Sequence, residues 1–150
     1  MADLPLGEIT LRKYEKPYQL EKRELVKKIC LSLGLLQSGD SRDVVVDVLT
    51  ILIDARKEGK KLKSEEIKEK VEKLRKENSL EAKGIAESNI RRQLKRLRDL
   101  MLVDKKENLY SLSEFSSLSE LFEAKIENFL LPQIIERVKE YLAELEKSQN

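Results

Sequence analysis

The spacing of apolar residues changes abruptly near residue 102, and this change constrains the fold more than any other feature. Before it, four apolar residues follow steps of four, three and four, which places them on one side of a helix over about 88–101: Ile90, Leu94, Leu97 and Met101. After Leu102-Val103, the segment DKKENLYSL indicates two short strands with a tip near Lys105–Asn108. A helix that runs directly into a β-hairpin is compatible with few small folds.

Three further helices are predicted upstream. An extended arm is predicted over about the first eighteen residues, and Tyr14 and Tyr18 are candidates to fix it to the body. An amphipathic helix follows from Leu20 to Leu36, and Gln37-Ser38-Gly39 ends it, with Gly39 as the left-handed stop. Asp40 or Ser41 is expected to cap the second helix, which runs to about 57. Its run of valines also suits a strand, but its length, its cap and the following glycine favour a buried central helix.

The third helix and the loop behind it complete the centre of the chain. Leu62 leaves room for a very short strand, and Ser64 is expected to cap a helix that ends near Glu77-Asn78. A loop containing Gly84 follows, with Ile85 as its contact to the core. Ser88 is then expected to cap the fourth helix.

The C-terminal third is predicted to be one long amphipathic helix, capped by Ser113, from Glu114 to Lys147 with a break or kink at Pro132. Its apolar stripe is wider than a small domain can cover, which predicts a two-fold dimer. The alternative is that the helix folds back over the core of its own chain. The residues predicted to form the dimer contact are Phe115, Leu118, Phe122, Ile126, Phe129, Ile134, Val138, Leu142 and Leu145.

Composition argues against several functions. The chain has no His, and Cys30 is its only Cys, so no metal site, no cofactor and no enzymatic activity are expected; Cys30 is predicted to be a small core residue. No GxxxxGK loop occurs. No run reaches the ~18–20 apolar residues of a membrane span, and no secretory signal is visible, which predicts a cytoplasmic protein. The many Lys, Arg and Glu residues resemble hyperthermophile usage.

Charge is distributed unevenly along the chain, although the net charge is only +2. Residues 83–106 carry eight Lys or Arg against three Asp or Glu, giving +5, whereas residues 107–150 carry four against nine, giving −5. A short segment of concentrated positive charge is the electrostatic requirement for docking on phosphates. The acidic C-terminal helix is expected to lie away from such a partner.

The segment ESNIRRQLKRLRDLMLVDKKENLYSLS, residues 87–113, resembles the winged helix-turn-helix superfamily. With less specificity the resemblance extends back to Asp43 and so covers about half of the chain. It implies a mainly α fold with a small β-hairpin wing, flanked by N-terminal and C-terminal helical extensions. The segments expected are an arm and helix over 1–38, the winged domain over 39–113 and a C-terminal dimerisation region over 114–150. The function implied is that of an archaeal-type transcriptional regulator, with terminal helices forming a dimer as in the PadR and MarR groups.

The resemblance and the chemistry of the side chains together predict double-stranded DNA as the partner. A recognition helix over about 88–101 would enter the major groove, and a wing over about 104–109 would reach the backbone or minor groove. Base contacts are expected from Ser88, Asn89 and Arg92, and phosphate contacts from Ser64, Arg91, Lys95, Arg96, Lys105 and Lys106.

Two alternatives remain open at the level of sequence. A basic helix face is commonly just solvated, and a winged helix also serves as a protein-interaction adaptor in replication, transcription or chromosome-organising complexes. In addition, five aromatic residues are candidates to line a pocket for an unidentified small-molecule effector, although such residues more often belong to a core: Tyr14, Tyr18, Phe115, Phe122 and Phe129.

Overall fold

The computed structural model of the chain describes residues 2–149, which form a mainly helical protein with one small antiparallel sheet. The helices are α1 (Lys22–Ser32), α2 (Val44–Lys57), α3 (Ser64–Glu77), α4 (Glu87–Asp99), α5 (Leu118–Leu121) and α6 (Leu131–Ser148). The strands are β1 (Leu62–Lys63), β2 (Val103–Lys106) and β3 (Leu109–Leu112). A short 3₁₀ turn at Ser113–Phe115 follows β3, and a π-helical segment, Phe122–Leu130, connects α5 to α6. The predicted fold class, mainly α with a small β-hairpin, is confirmed.

The sheet has the order β1-β3-β2, with all neighbours antiparallel. Lys106 pairs with Leu109, so the hairpin turns through only two residues, Glu107 and Asn108. Both have positive φ, 53° and 64°, as a tight hairpin turn of type I′ requires. The very short strand predicted at Leu62 exists and pairs with Tyr110.

Helix α2 is the centre of the molecule, as predicted. Ten of its fourteen residues are buried, and it contacts α1, α3, α4 and β3. All three predicted segments contribute side chains to one core. Cys30 of α1 and Ile126 of the π-helical segment belong to the same cluster as Leu49 of α2. Burial raises the pKa of the Cys30 thiol to about 12, which makes this residue a small apolar core group.

The first two helices differ from the prediction at their ends. Helix α1 ends at Ser32 and not near Gln37, because Gly34 adopts φ +73° and the amides of Leu35 and Leu36 bond back to the Cys30 carbonyl. Helix α2 begins at Val44 with Asp43 as its N-cap residue, so the predicted caps Asp40 and Ser41 are wrong.

Helix α3 begins one residue earlier than expected, and α4 begins two residues earlier. The N-cap residues are Lys63 and Ala86, and Ser64 and Ser88 lie inside the helices, so both predicted serine caps are wrong. The backbone N–H of Lys63 is instead satisfied by the side chain of Glu66. At the other end, α4 stops at Asp99, and Met101 takes a left-handed conformation with φ 63° after it.

The C-terminal helix, defined here as residues 118–148, starts four residues later than predicted. Its cap is Ser117, whose hydroxyl accepts from the Glu120 amide while the Glu120 carboxylate accepts from the Ser117 amide. Pro132 does not break it, since the backbone remains helical through Leu130 and Leu131. Hydrogen bonding changes there from a π to an α pattern, and we attribute the tolerance of the missing Pro132 N–H to this change of register.

The N-terminal arm is tied to the end of α1. The Arg12 amide donates to the Ser32 carbonyl at 2.9 Å, and its guanidinium donates to the carbonyls of Leu31 and Leu36. Tyr14 packs against the core as predicted, whereas Tyr18 is 61% exposed. The arm is therefore held at the C-terminal end of α1.

Candidate nucleic-acid interface

Helix α4 has two chemically opposite faces. Ile90, Leu94 and Leu97 are completely buried against the core. The other side carries a set of exposed residues at steps of three and four, four of which are cationic: Ser88, Arg91, Arg92, Lys95 and Arg98. We call this set the α4 cationic face. Its position is fixed by the apolar line, because burial of that line leaves the helix no freedom to rotate about its axis.

The cations of this face differ in their partners. Arg91 donates to Glu87 at 2.8 Å, and Lys95 lies 3.2 Å from Asp99; both are exposed i,i+4 pairs. Such surface pairs contribute only about 0.3–0.5 kcal/mol, so a phosphate can replace the carboxylate at little cost. Among residues 2–149, neither Arg92 nor Arg98 has an ion pair or a side-chain hydrogen bond. These two guanidinium groups are the most available on the face.

The β-hairpin adds two exposed lysines beside this face. Lys105 lies with its Nζ 5.8 Å from the centre of the Tyr110 ring, and Lys106 is exposed at the hairpin end of β2. Because the hairpin turn is only two residues long, the predicted wing is short. It places Lys105 beside Lys95 and Arg98 of α4, and its reach beyond the body is small.

Asn89, predicted to read bases, lies in a different environment. Its Nδ2 donates to the Gly84 carbonyl at 2.7 Å, and its Oδ1 accepts from Gln93 at 3.1 Å. The amide is partly buried and uses both of its ends within the protein. We therefore assign Asn89 to anchoring the loop before α4, which leaves neither end of its amide free for the predicted base contact.

Two of the predicted phosphate contacts are also engaged within the fold. Arg96 donates to the carbonyl of Gly34 at 3.1 Å and to Gln93 at 2.9 Å, which points it at the end of α1. Ser64 is buried, and its hydroxyl donates to Glu87 at 3.2 Å. The structure thus keeps Ser88, Arg91, Arg92, Lys95, Lys105 and Lys106 on the exposed surface and separates Asn89, Arg96 and Ser64 from it.

The loop between α3 and α4, residues 78–86, is held at several points, and this positions α4. Arg75 of α3 donates its Nε proton to the Glu81 carbonyl at 2.7 Å. Gly84 has φ +76°, and a Cβ there would lie 3.0 Å from Asn89 Nδ2. Ile85 packs against the core, as predicted. The length of the loop therefore does not leave the start of α4 unsupported.

A cluster of two arginines and two aspartates lies behind that loop, with Arg75 and Asp47 buried and the other two side chains partly buried. Arg75 Nη1 donates to Asp47 at 2.6 Å and to Asp43 at 3.0 Å, and Arg23 donates to the same two carboxylates at 3.1–3.3 Å. Asp47 is fully buried and Arg75 is 3% exposed. The cluster joins α1, α2, α3 and the loop before α4, which makes it a structural link between the N-terminal helix and the α4 cationic face.

Charge compensation in this cluster shifts the pKa values of Asp43 and Arg23 toward their charged forms. Burial raises the pKa of Asp43, but the hydrogen bond from Arg75 and the charge of Arg23 outweigh it, so the net pKa lies below the ordinary value of 3.8. Burial likewise lowers the pKa of Arg23, and the Asp47 and Asp43 carboxylates more than reverse that effect. No buried side-chain polar atom of the described residues lacks a hydrogen-bond partner.

Sequence reasoning missed two functional or structural residues. Arg98 completes the α4 cationic face, and its spacing three residues after Lys95, off the apolar line, was a sufficient signal. Asp47 lies within the helix that the sequence predicts to be buried, where no ionised partner is evident from the sequence. A carboxylate in a buried helix needs a cationic partner. The partners of Asp47, Arg23 and Arg75, are distant in sequence, so the ion pair could not be predicted from local spacing.

The predicted dimer contacts fall into two groups. Ile126 is completely buried in the core of its own chain, Leu118 packs against that core, and Phe115 lies beside Arg56 and Lys61, so these three do not form a free surface. Phe122 and Phe129 are partly exposed, and α6 has no buried residue at all. The first part of the C-terminal helix thus folds back on the body, and the second part projects from it.

An apolar groove of about 530 Å³ lies between the arm, α1 and the start of the C-terminal helix. We call it the arm groove. Of the five aromatic residues that were candidates for a pocket, Tyr14, Tyr18 and Phe122 line the groove, whereas Phe115 and Phe129 do not. Its other apolar lining residues are Pro17, Leu20, Leu25, Ile29, Leu33, Leu102 and Leu118.

Comparison with known proteins gives no match: no protein-family model, no curated protein and no solved structure matches the chain. Within residues 2–149, no helix is long and apolar enough to cross a membrane, and no group of three or more His, Cys, Asp or Glu side chains is arranged to hold a metal ion.

Proposed function

We propose that the protein binds double-stranded DNA through the α4 cationic face and the adjacent hairpin, without catalysis. The observation that carries this proposal is the arrangement of α4, whose apolar side is completely buried while Arg91, Arg92, Lys95 and Arg98 are exposed on the other side. A helix held in this way presents one row of cations of the width that a major groove admits.

The order of elements supports the same proposal. A helix, a short strand, two helices and a hairpin that pairs with the short strand are the arrangement that a winged helix-turn-helix domain requires. In this proposal Arg92 and Ser88 face base edges, while Arg91, Lys95, Arg98, Lys105 and Lys106 contact phosphates. In this proposal α6, the outer part of the acidic C-terminal helix, lies away from the DNA.

The proposal includes a homodimer formed through the C-terminal helix and a role as a transcriptional regulator. The support for a dimer is the exposed apolar side of α6, where Val138, Leu142 and Leu145 are each 50–54% exposed. Two copies would present two α4 helices to successive half-sites of DNA. A regulator of this kind would act in the cytoplasm; an archaeal and thermophilic source remains a prediction from the sequence.

A salt-dependent titration tests DNA binding. We expect the protein to bind duplex DNA of random sequence at low salt, with an affinity that falls steeply as salt rises. The Arg91→Ala/Arg92→Ala variant should lose most of this affinity. A Lys73→Ala/Lys76→Ala variant on the exposed side of α3 removes the same charge elsewhere and serves as the matched control.

Two results would contradict the proposal. If the wild type fails to bind at low salt, the α4 cationic face is a solvated surface, and the adaptor function, which the exposed side of α6 favours, takes its place. If the control and the α4 variant lose affinity equally, binding depends on overall charge and not on α4.

A further inference from the structure

We infer that the arm groove is the docking site for α6 of a second copy of this chain, so that each protomer inserts its C-terminal helix into the groove of the other. The inference deepens the proposed function, since it rests on the dimer included there and names the surface that α6 contacts. It is carried by two apolar surfaces that the chain leaves uncovered and by the geometry that relates them.

The first surface is a stripe on α6. Five apolar side chains repeat at steps of four and three along one side: Leu131, Ile135, Val138, Leu142 and Leu145. The last four are 45–54% exposed, and no residue of α6 is buried. An amphipathic helix without a partner exposes a contiguous apolar patch, and soluble monomers rarely expose such a patch.

The second surface is the arm groove. Several of its large apolar side chains are exposed although they lie in a concave site: Tyr18 at 61%, Leu25 at 42%, Ile29 at 38% and Phe122 at 36%. Leu25 and Ile29 belong to the apolar side of α1, so only half of that side is covered by the chain itself. The groove therefore resembles one side of a helix–helix contact whose other helix is missing.

The π-helical segment places both surfaces on the same side of the C-terminal helix. Phe122 in the groove and Leu131 at the start of the stripe are nine residues apart, across this segment. A π-helix has about 4.4 residues per turn because its hydrogen bonds run from i to i+5, so nine residues make about two whole turns. In an α-helix of about 3.6 residues per turn they would make about two and a half turns and place the stripe on the opposite side.

The spacing of the two surfaces fits a two-fold axis. The groove lies beside Leu118 and Phe122, and the stripe is centred near residue 140, about 20 residues or about 30 Å further along the helix. A chain therefore cannot place its own stripe in its own groove without breaking the helix. Two antiparallel copies with the axis near residue 130 bring each stripe to the groove of the other.

Charge complementarity favours a second copy over a neutral ligand as the occupant. Residues 11–28, which form the second part of the arm and most of α1, carry seven Lys or Arg against three Asp or Glu. Helix α6, residues 131–148, carries four Asp or Glu against three Lys or Arg and is therefore weakly acidic. Opposite charge around two apolar contacts steers them together and fixes their register.

Cross-linking tests the contact directly. Cys30 is buried, so the wild-type chain is the uncrosslinked control. With a short bis-maleimide we expect the Leu25→Cys/Leu142→Cys variant to give a covalent dimer, and the Leu142→Cys variant alone to give none. A covalent dimer from Leu142→Cys alone would mean that the two α6 helices pair with each other, which overturns the inference.

Sedimentation of glutamate variants provides an independent test. Leu25→Glu in the groove and Leu142→Glu in the stripe should each raise the dimer dissociation constant about 30-fold or more. Gln133→Glu, on an exposed part of α6 outside the stripe, should change it little. A wild-type monomer, or a dimer that Leu25→Glu leaves intact while circular dichroism shows both variants folded, overturns the inference.

DNA titration of the same samples separates this inference from the proposed function. Cross-links in the expected pattern without DNA binding would leave the contact standing and remove the DNA-binding function. DNA binding by a protein that cross-links through Leu142→Cys alone would support the DNA-binding function and overturn the contact between α6 and the arm groove.

Discussion

The guanidinium of Arg75 donates a hydrogen bond of 2.6 Å to the carboxylate of Asp47, and both side chains are buried. Arg75 belongs to α3 and also holds the Glu81 carbonyl of the loop that leads into α4. Asp47 belongs to the central helix α2. The contact therefore couples the core to the loop that positions the α4 cationic face.

Removing the arginine should destabilise the protein strongly. In an Arg75→Ala variant the Asp47 carboxylate stays buried with Arg23 as its only remaining cation, and loss of one member of a buried pair costs about 3–5 kcal/mol. Urea denaturation at neutral pH measures the free energy of unfolding. Lys73→Ala, an exposed position on the same helix, is the control and should change it by less than about 0.5 kcal/mol. Equal effects of the two variants would contradict a structural role for the cluster.

The same cluster predicts how stability depends on acid. Because the folded-state pKa of Asp43 lies below its ordinary value of 3.8, ionised Asp43 stabilises the folded protein at pH values above 3.8. This contribution is lost as the pH falls through the folded-state pKa. An Asp43→Asn variant should therefore be less stable at neutral pH and lose less stability between about pH 5 and pH 2. Parallel acid-dependence curves for the two proteins would contradict this assignment.

The order of the elements follows from the sequence because each was specified locally. Apolar spacing predicts α2, α3 and α4, and the change of that spacing near residue 102 predicts the hairpin. Helix ends were less predictable, since Ser64 and Ser88 have the chemistry of caps but lie one or two residues inside their helices. The true cap of the C-terminal helix, Ser117 followed by Glu120, has a local signature that was available.

The chemistry of individual side chains was less predictable than the fold. Asn89 and Arg96 have the residue types and the approximate positions of a DNA contact, but their hydrogen bonds go to Gly84 and Gly34. Those partners are backbone carbonyls whose position depends on tertiary packing. The π-helical segment is likewise set by how the helix packs on the body and not by a residue type.

Two glycines with similar backbone angles should respond differently to alanine. Gly34 and Gly39 have φ of +73° and +86°, so either substitution costs about 1 kcal/mol in backbone strain. At Gly34 the new Cβ would also lie 2.5 Å from the Thr10 Cβ of the arm, whereas nothing lies within 4 Å at Gly39. We expect Gly34→Ala to release the arm.

Limited trypsin digestion tests this expectation, because the arm carries Arg12, Lys13 and Lys16. Gly34→Ala should be cleaved there much faster than the wild type, and Gly39→Ala should resemble the wild type. An additional Thr10→Gly substitution should restore protection to Gly34→Ala. Faster cleavage of both glycine variants alike would show that backbone strain, and not contact with the arm, is responsible.

Neighbouring arginines on α4 should separate DNA affinity from stability. Arg98 is exposed and has no ion pair among the described residues, so Arg98→Ala should lower DNA affinity for all sequences alike and reduce the slope of log affinity against log salt by about 1. Arg96 donates to Gly34 and Gln93, so Arg96→Ala should lower the free energy of unfolding by about 1–2 kcal/mol. At a temperature where both variants are folded, only Arg98→Ala should change DNA binding. The opposite pattern, with Arg96→Ala losing affinity and Arg98→Ala losing stability, would mean that DNA contacts the side of α4 that faces α1.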